Sequence, residues 1–229
     1  MKHWILDLFF PPRCVFCGEL THPKDHCICP KCAKNLPFVE SNQILRKIGK
    51  HTCVVSFYYE EMVRSGIHAL KFQGCSNRAA YFAQYLASSI REHLNGQFDI
   101  ITYVPISPLR KWRRGYDQSQ LLAQSTAKLL GKPMQNSLRK IRNNPPQSLV
   151  KDFAQRQRNV QNVYRSIDPA EIKGRRFVLI DDVVTTGSTL TACADTLLAG
   201  GAASVVCAAL AGGQSTEPKN SNSGYSNPF

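Results

Sequence analysis

Two adjacent carboxylates, Asp181 and Asp182, stand just before the run Thr185-Thr186-Gly187-Ser188-Thr189. Two acids side by side repel a phosphate; they suit the hydroxyls of a sugar, or a metal ion beside it. The run that follows has the opposite character. The hydroxyls of Thr185, Thr186, Ser188 and Thr189 can donate to an anion, and Gly187 lets the backbone approach a ligand closely. The elements that position these groups are legible on both sides. Arg176 to Ile180 is a short apolar run that reads as a buried strand ending at the acids. From Leu190 onward, Leu190, Cys193, Leu197 and Leu198 share one helical face, so a helix starts where the run ends. Its N-terminus offers unpaired N–H groups and partial positive charge. Strand, acidic pair, hydroxyl-rich turn and helix together describe a phosphate cradle.

A second constellation lies near the start. Of nine cysteines, four form the pairs Cys14-Val15-Phe16-Cys17 and Cys29-Pro30-Lys31-Cys32. Two C-x-x-C knuckles separated by a short loop have the spacing of a tetrahedral four-thiolate zinc site. All four ligands are protein groups and no position stays open, so the expected role is structural. Gly18 fits the tight turn that aims backbone amides at the sulfurs. Cys27 could take the place of Cys29, but the C-x-x-C spacing favours Cys29. His22 and His26 read as exposed. Zinc offsets the small core such a segment can bury. Metal-binding spacing, and not a disulfide framework, points to a reducing compartment.

The charge is uneven. The 229 residues carry a formal +13, and Pro105 to Arg165 holds thirteen Lys or Arg against Asp117 and Asp152, or +11. Such a field draws polyanions, nucleic acid first. Within this segment Asp99 to Val104 reads as a strand. It opens into Pro105-Ile106-Ser107-Pro108 and then Leu109-Arg110-Lys111-Trp112-Arg113-Arg114-Gly115-Tyr116-Asp117-Gln118, expected as a basic loop. A loop at a strand's carboxyl end is where a doubly wound sheet places its ligand. Its cations can pair with pyrophosphate, and Trp112 and Tyr116 can stack on the bases of a single strand. Asp117 or Ser119 then starts a helix carrying Leu121, Leu122, Leu129 and Leu130.

The remaining chain divides into three. Residues 1–40 form an apolar segment plus the zinc module, 50–211 the main domain, and 212–229 a disordered tail. Trp4, Ile5, Leu8 and Phe9 share a helical face that docks on the domain behind, ended by Pro11-Pro12. The segment is too short, and lacks the cleavage site, for a signal peptide, and no run is long enough to span a membrane. Leu36 to Lys50 is a connector. Thr52 to Tyr59 reads as a strand, Val63 to Phe72 as a helix, and Asn77 to Leu94 as a longer helix capped by Asn77, with Tyr81, Tyr85, Leu86 and Ile90 on its buried side. Ser137 to Arg165 reads as a flexible arm over the site, broken by Pro145-Pro146 and followed by a short helix from Asp152. Its Leu138, Ile141, Leu149 and Phe153 are too sparse for a core element. Ser204 to Leu210 is a last strand. The expected fold class is α/β: a parallel sheet flanked by helices, with a small N-terminal four-cysteine zinc module.

The acidic pair and Thr-Thr-Gly-Ser-Thr loop resemble the phosphoribosyl diphosphate signature of the type I phosphoribosyltransferase fold. Joined to the zinc knuckles and to Arg114-Gly115-Tyr116-Asp117-Gln118, the signature resembles the competence protein F (ComF) family. Arg142, Gln147, Arg156 and Asn159 resemble that family's later Arg…Gln…Arg-x-x-Asn pattern, and Lys71 its Leu-Lys-Tyr/Phe segment. Tyr116 and Asp117 depart from the family's usual Phe and Asn, and the added acid weakens an anion contact there. The resemblance implies a type I phosphoribosyltransferase-like sheet. It implies Asp181 and Asp182 on the ribose hydroxyls, with Thr185, Thr186, Gly187, Ser188 and Thr189 around the 5-phosphate. Lys71, Arg110, Arg113, Arg114, Gly115, Tyr116, Arg142 and Arg156 would meet pyrophosphate or nucleic acid, and magnesium would accompany the phosphoribosyl diphosphate. The implied role is cytoplasmic, in DNA uptake during natural competence. The function expected is binding of single-stranded DNA and of a phosphoribosyl diphosphate-type ligand. The alternative is an active magnesium-dependent phosphoribosyltransferase, whose Asp181 and Asp182 steady the ribose as positive charge develops. A third reading is an adaptor whose zinc module docks a helicase-like partner.

Overall fold

The computed structural model describes residues 12–21, 27–72, 78–142 and 163–213. The expected docking helix, His22, His26, Cys75, the Asn77 cap, Pro145-Pro146, Gln147, the short helix with Arg156 and Asn159, and the tail beyond 213 lie outside the described residues. The chain runs through α1 (Pro30–Lys34), β1 (Leu45–Ile48), β2 (His51–Tyr58), α2 (Glu61–Phe72), α3 (Arg78–His93), β3 (Ile100–Tyr103), α4 (Pro108–Arg114) and α5 (Gln118–Leu130). It continues with β4 (Leu138–Lys140), β5 (Tyr164–Ser166), α6 (Pro169–Ile172), β6 (Arg176–Val184), α7 (Ser188–Ala199) and β7 (Ser204–Gly212).

Five strands form one sheet in the order β1-β2-β7-β6-β3, parallel throughout except for the antiparallel edge hairpin β1–β2. The continuous apolar run of β6 follows from its place inside this sheet, because both of its faces are covered. Val178 and Ile180 join a core with Phe82 and Leu86 of α3 and Leu122 of α5. Phe177 and Leu179 face the other way, against Leu190, Cys193, Ala194 and Leu197 of α7. Helices therefore flank both faces, as a parallel sheet requires. Arg176 clamps the lower end of β6 to the start of β3 through two bonds to Asp99, at 2.6 and 2.9 Å.

Several local expectations change. The connector 36–50 contains β1, a short edge strand whose partner β2 supplies what its own polar sequence lacks. β6 does not end at Ile180. It continues in register with β7 through Asp181↔Ala209 to Val184↔Gly212, so the two acids sit within the strand. Small residues on β7 leave room for them there. The segment 108–114, expected as a loop, is helix α4, with Ser107 as N-cap, Pro108 in its first turn and left-handed Gly115 closing it. That pattern of cap, proline and glycine is a helix signal that the density of charge obscured. Leu138 is fully buried, and β4 pairs with β5 as a separate ribbon. Its packing partners Val163 and Tyr164 come from the far end of the expected arm, which a local window cannot join to it. Tyr81 and Tyr85 are only half-buried; Ala79, Phe82, Ala83 and Leu86 lie deeper in α3.

Candidate functional site

The carboxyl ends of β3 and β6, the end of α2, and helices α4 and α5 converge on one cleft. It is lined by Lys71, Arg110, Arg114, Gln118, Lys140, Tyr164, Asp181, Asp182 and Thr189, with the backbone turn at Val104-Pro105-Ile106. A smaller pocket formed by Val183 to Leu190 adjoins it, sharing Asp181 and Thr189. The acidic pair and the hydroxyl-rich turn thus line two neighbouring depressions at the sheet's carboxyl edge, the usual ligand position in an open α/β sheet.

The two carboxylates are held differently. Asp181 Oδ1 accepts from Ser119 Oγ at 3.0 Å and from the Asp182 amide at 2.8 Å. Burial, and then the neighbouring Asp182 charge, push the Asp181 carboxyl up to about 7, against the opposing pull of Lys71. Asp182 Oδ1 accepts from Lys71 Nζ at 2.9 Å, a nearly enclosed ion pair. Burial draws the Lys71 ammonium down, but the charge and hydrogen bond of Asp182 outweigh it and hold Lys71 above its ordinary value. Asp182 Oδ2 is buried with no hydrogen-bond partner among the described residues. A buried acceptor left so is costly, and a hydroxyl or a metal-bound water entering the cleft would satisfy it.

In the turn, Thr186 Oγ1 and Ser188 Oγ lie 2.7 Å apart, and the Ser188 amide points back to Thr186 Oγ1 at 3.4 Å. Gly187 has φ +75° and caps α7 without any side-chain bond, so the helix N-terminus is not closed by its own cap. The glycine is required for a reason the sequence did not show. A Cβ at 187 would stand 2.7 Å from Cβ and Cγ2 of Ile48 in β1. The close approach is to the protein's own edge hairpin, and Thr191 Oγ1 donates to the Ile48 carbonyl beside it.

The cations divide into two sets. Lys71, Arg110, Arg114 and Lys140 line the cleft. Arg113 and Arg142 are exposed and outside its lining. Arg110 and Arg114 lie one turn apart on α4. Trp112 stands between them in sequence, about 200° round the helix, and is 82% exposed on the outer side. Tyr116 is half-buried and its hydroxyl donates to the Leu70 carbonyl, which ties the segment after α4 to the end of α2. Gly115 serves as the left-handed C-cap of α4. Asp117 is absorbed by the fold: only 4% exposed, it accepts from the amides of Ile106, Ser119 and Gln120 and caps α5. Its carboxylate is thus committed to backbone donors. Arg156 lies outside the described residues. Sequence reasoning missed Ser119, Gln118 and Lys140. Ser119 was detectable as a hydroxyl in the first turn after a capping acid. Lys140 needed the pairing of β4 with β5, since burial, and then nearby Arg110, lower its ammonium only because that ribbon folds over the cleft.

The four expected cysteines gather. The sulfurs of Cys14, Cys17, Cys29 and Cys32 all lie within 4.8 Å of one another, with Cys17 and Cys29 at 3.8 Å. A zinc ion with Zn–S bonds of ~2.3 Å sets its sulfurs about 3.8 Å apart, so the donor set fits the metal. Cys27 is exposed and outside the cluster, which decides for Cys29. Burial raises the Cys14 thiol, but amides of Cys17, Cys29 and Phe16 aimed at its sulfur bring it down to about 7. The knuckle between Cys14 and Cys17 is part of the main core. Phe16 packs on Phe57 and Phe82 at 6.1 and 5.4 Å, and Arg78 Nη1 donates to the Val15 carbonyl.

Residues 54–226 match the phosphoribosyl transferase domain family, and residues 5–56 the double zinc ribbon domain. The chain is 34% identical to the DNA utilization protein YhgH of Salmonella typhimurium, over 90% of this chain and 89% of that one. It is 31% identical to competence protein F of Haemophilus influenzae, over 78% and 75%. It is 26% identical to competence protein ComFC of Bacillus subtilis, over 84% and 74%. With the ribbon match, the cysteine cluster is a structural zinc site. No helix among the described residues is long and apolar enough to cross a membrane.

Proposed function

Because this chain belongs to the competence protein F family, with a phosphoribosyl transferase domain behind a double zinc ribbon, we propose that its cleft binds a phosphoribosyl diphosphate-type ligand in the service of DNA uptake. One observation carries the reading. The acids and four cations line one depression, the hydroxyl-rich turn lines a second that shares Asp181 and Thr189 with it, and each set suits a different part of that ligand. The turn and the N-terminus of α7, whose cap Gly187 brings no side chain, take the 5-phosphate. Asp181 and Asp182 take the ribose hydroxyls, with Asp182 Oδ2 as the waiting acceptor. Lys71, Arg110, Arg114 and Lys140 take the diphosphate. Asp181 and Asp182 would help to hold magnesium, which would supply positive charge to neutralise the diphosphate.

The DNA side of the proposal rests on the charge and on the relatives, which are named for DNA utilization and competence. Lys111, Trp112 and Arg113 stand exposed on the outer side of α4, away from the cleft. A single strand would run across that side, with Trp112 stacking at about 1–3 kcal/mol per base.

Calorimetric titration of the zinc-loaded protein separates the two halves. The wild type should bind phosphoribosyl diphosphate with magnesium, and Asp181→Asn/Asp182→Asn should not. Equal binding by both would dismiss the acids from the site. In the second arm, Arg113→Ala should make the slope of log K against log salt for a single-stranded oligonucleotide less negative by about 0.7. An unchanged slope would remove α4 from the DNA path.

A further inference from the structure

The last turn of α2 touches a different part of the site with each of three consecutive residues. The Leu70 carbonyl accepts from Tyr116, Lys71 pairs with Asp182, and the Phe72 ring lies under Arg114. The first two contacts place backbone and charge. The third has no such reason, since Phe72 is 58% exposed and belongs to no core cluster. We propose that Phe72 is a positioning residue: its ring holds the Arg114 guanidinium as a fixed fork facing the cleft, and so sets the preference for a diphosphate over a ligand that lacks one. This rests on the reading of the cleft as a phosphoribosyl diphosphate site.

The geometry gives the fork two constraints. The guanidinium carbon is 4.5 Å from the centroid of the Phe72 ring, within the range of a cation over an aromatic face. Nη1 donates to Gln118 Oε1 at 2.7 Å. The ring fixes the plane of the group and Gln118 its rotation. Both Arg114 and Gln118 line the cleft. The ring is steadied in turn by His68, one turn back on α2, at 4.8 Å. A surface arginine ordinarily loses most of its rotamer freedom when it grips an anion. One already held flat loses little, and its planar donors match two phosphate oxygens at once. Lys71, on the same turn as Phe72, adds a point charge to the same cleft. A diphosphate in the cleft meets both an ammonium and a preset fork. Burial, the largest influence, draws the Arg114 guanidinium down from its ordinary value, in keeping with a group already partly withdrawn from water before ligand arrives.

The test compares phosphoribosyl diphosphate with ribose 5-phosphate, each with magnesium, by calorimetry. Phe72→Ala should weaken the diphosphate ligand about tenfold, the size expected for losing a partly desolvated cation–π contact, and leave ribose 5-phosphate unchanged. Phe72→Tyr and Phe72→Trp should restore the difference, while Phe72→Leu, which keeps apolar bulk without the ring, should not. A second readout needs no ligand. The Arg114 Nε–H proton resonance should carry a ring-current shift in the wild type and lose it in Phe72→Leu. Equal weakening of both ligands, rescue by leucine, or an Arg114 resonance indifferent to Phe72 would each overturn the proposal alone. A wild type that binds neither ligand would overturn it together with the reading of the cleft.

Discussion

Asp181 is the residue whose protonation links the site to stability. Its carboxyl is raised by burial and by Asp182 to about 7, whereas an unfolded aspartate titrates near ~3.9. Between those values the folded chain holds a proton that the unfolded chain has released. The contribution to stability is therefore complete below pH ~4 and is lost as pH rises through about 7. Asp181→Asn keeps an oxygen for Ser119 Oγ and the Asp182 amide, and cannot ionise. Relative to the wild type it should be no more stable at pH 4 and more stable at pH 8, by roughly 2–4 kcal/mol. Urea denaturation at the two pH values checks this. A constant difference would mean that Asp181 ionises as freely folded as unfolded. The same substitution should cost ligand affinity, so a gain in stability with a loss of binding would mark a site held at the fold's expense. Lys71 lies on the opposite side of that balance, as the cation that pairs with Asp182 in a buried position.

Among the elements, the edge hairpin β1–β2 has an effect on the site out of proportion to its size. β1 is four residues long, yet Ile48 is the surface on which the hydroxyl-rich turn closes. Gly187→Ala meets two penalties: a left-handed φ and a Cβ 2.7 Å from Ile48. The expected loss is about 2–4 kcal/mol. The two can be separated by a double-mutant cycle. In an Ile48→Gly background both contacted carbons are gone and the collision disappears, so Gly187→Ala should then cost only about 1 kcal/mol from the backbone. Additive losses would show that the turn has room to move off β1. Helix α4 is the converse case. It puts Arg110 and Arg114 on the cleft and Trp112 outside it, so one basic stretch serves two surfaces.

At the scale of the molecule, the zinc site and the cleft are joined through α2. Gly66 admits the Val15 carbonyl so closely that a Cβ would stand 2.9 Å from it, and the same helix ends at Lys71 and Phe72. The knuckle's Val15 and Phe16 share a core with Ile67, Leu70 and Phe82. Loss of the metal should therefore be felt by the main domain. Cys14→Ser should abolish stoichiometric zinc and lower the midpoint of the principal calorimetric transition by roughly 10 °C. A separate low-temperature transition, with the principal one unmoved, would show that the ribbon folds as an independent unit.

Sequence alone determined the features that depend on local chemistry. The two C-x-x-C pairs name their metal because ligand spacing is a property of the chain. Asp181-Asp182 and Thr185–Thr189 stand on the strand-turn-helix that their periodicity describes, apart from the extension of β6 to Val184. Tertiary structure decided whatever depends on residues distant in sequence. The spacing favours Cys29 over Cys27, and the gathering of the four sulfurs decides it. Lys140 and buried Leu138 become part of the site and the core only through β5. Gly187 answers to Ile48, and Arg114 to Phe72, partners 139 and 42 positions away. Composition and periodicity report which face of an element is apolar. They carry no information on which element that face will meet, and the cleft is made of such meetings.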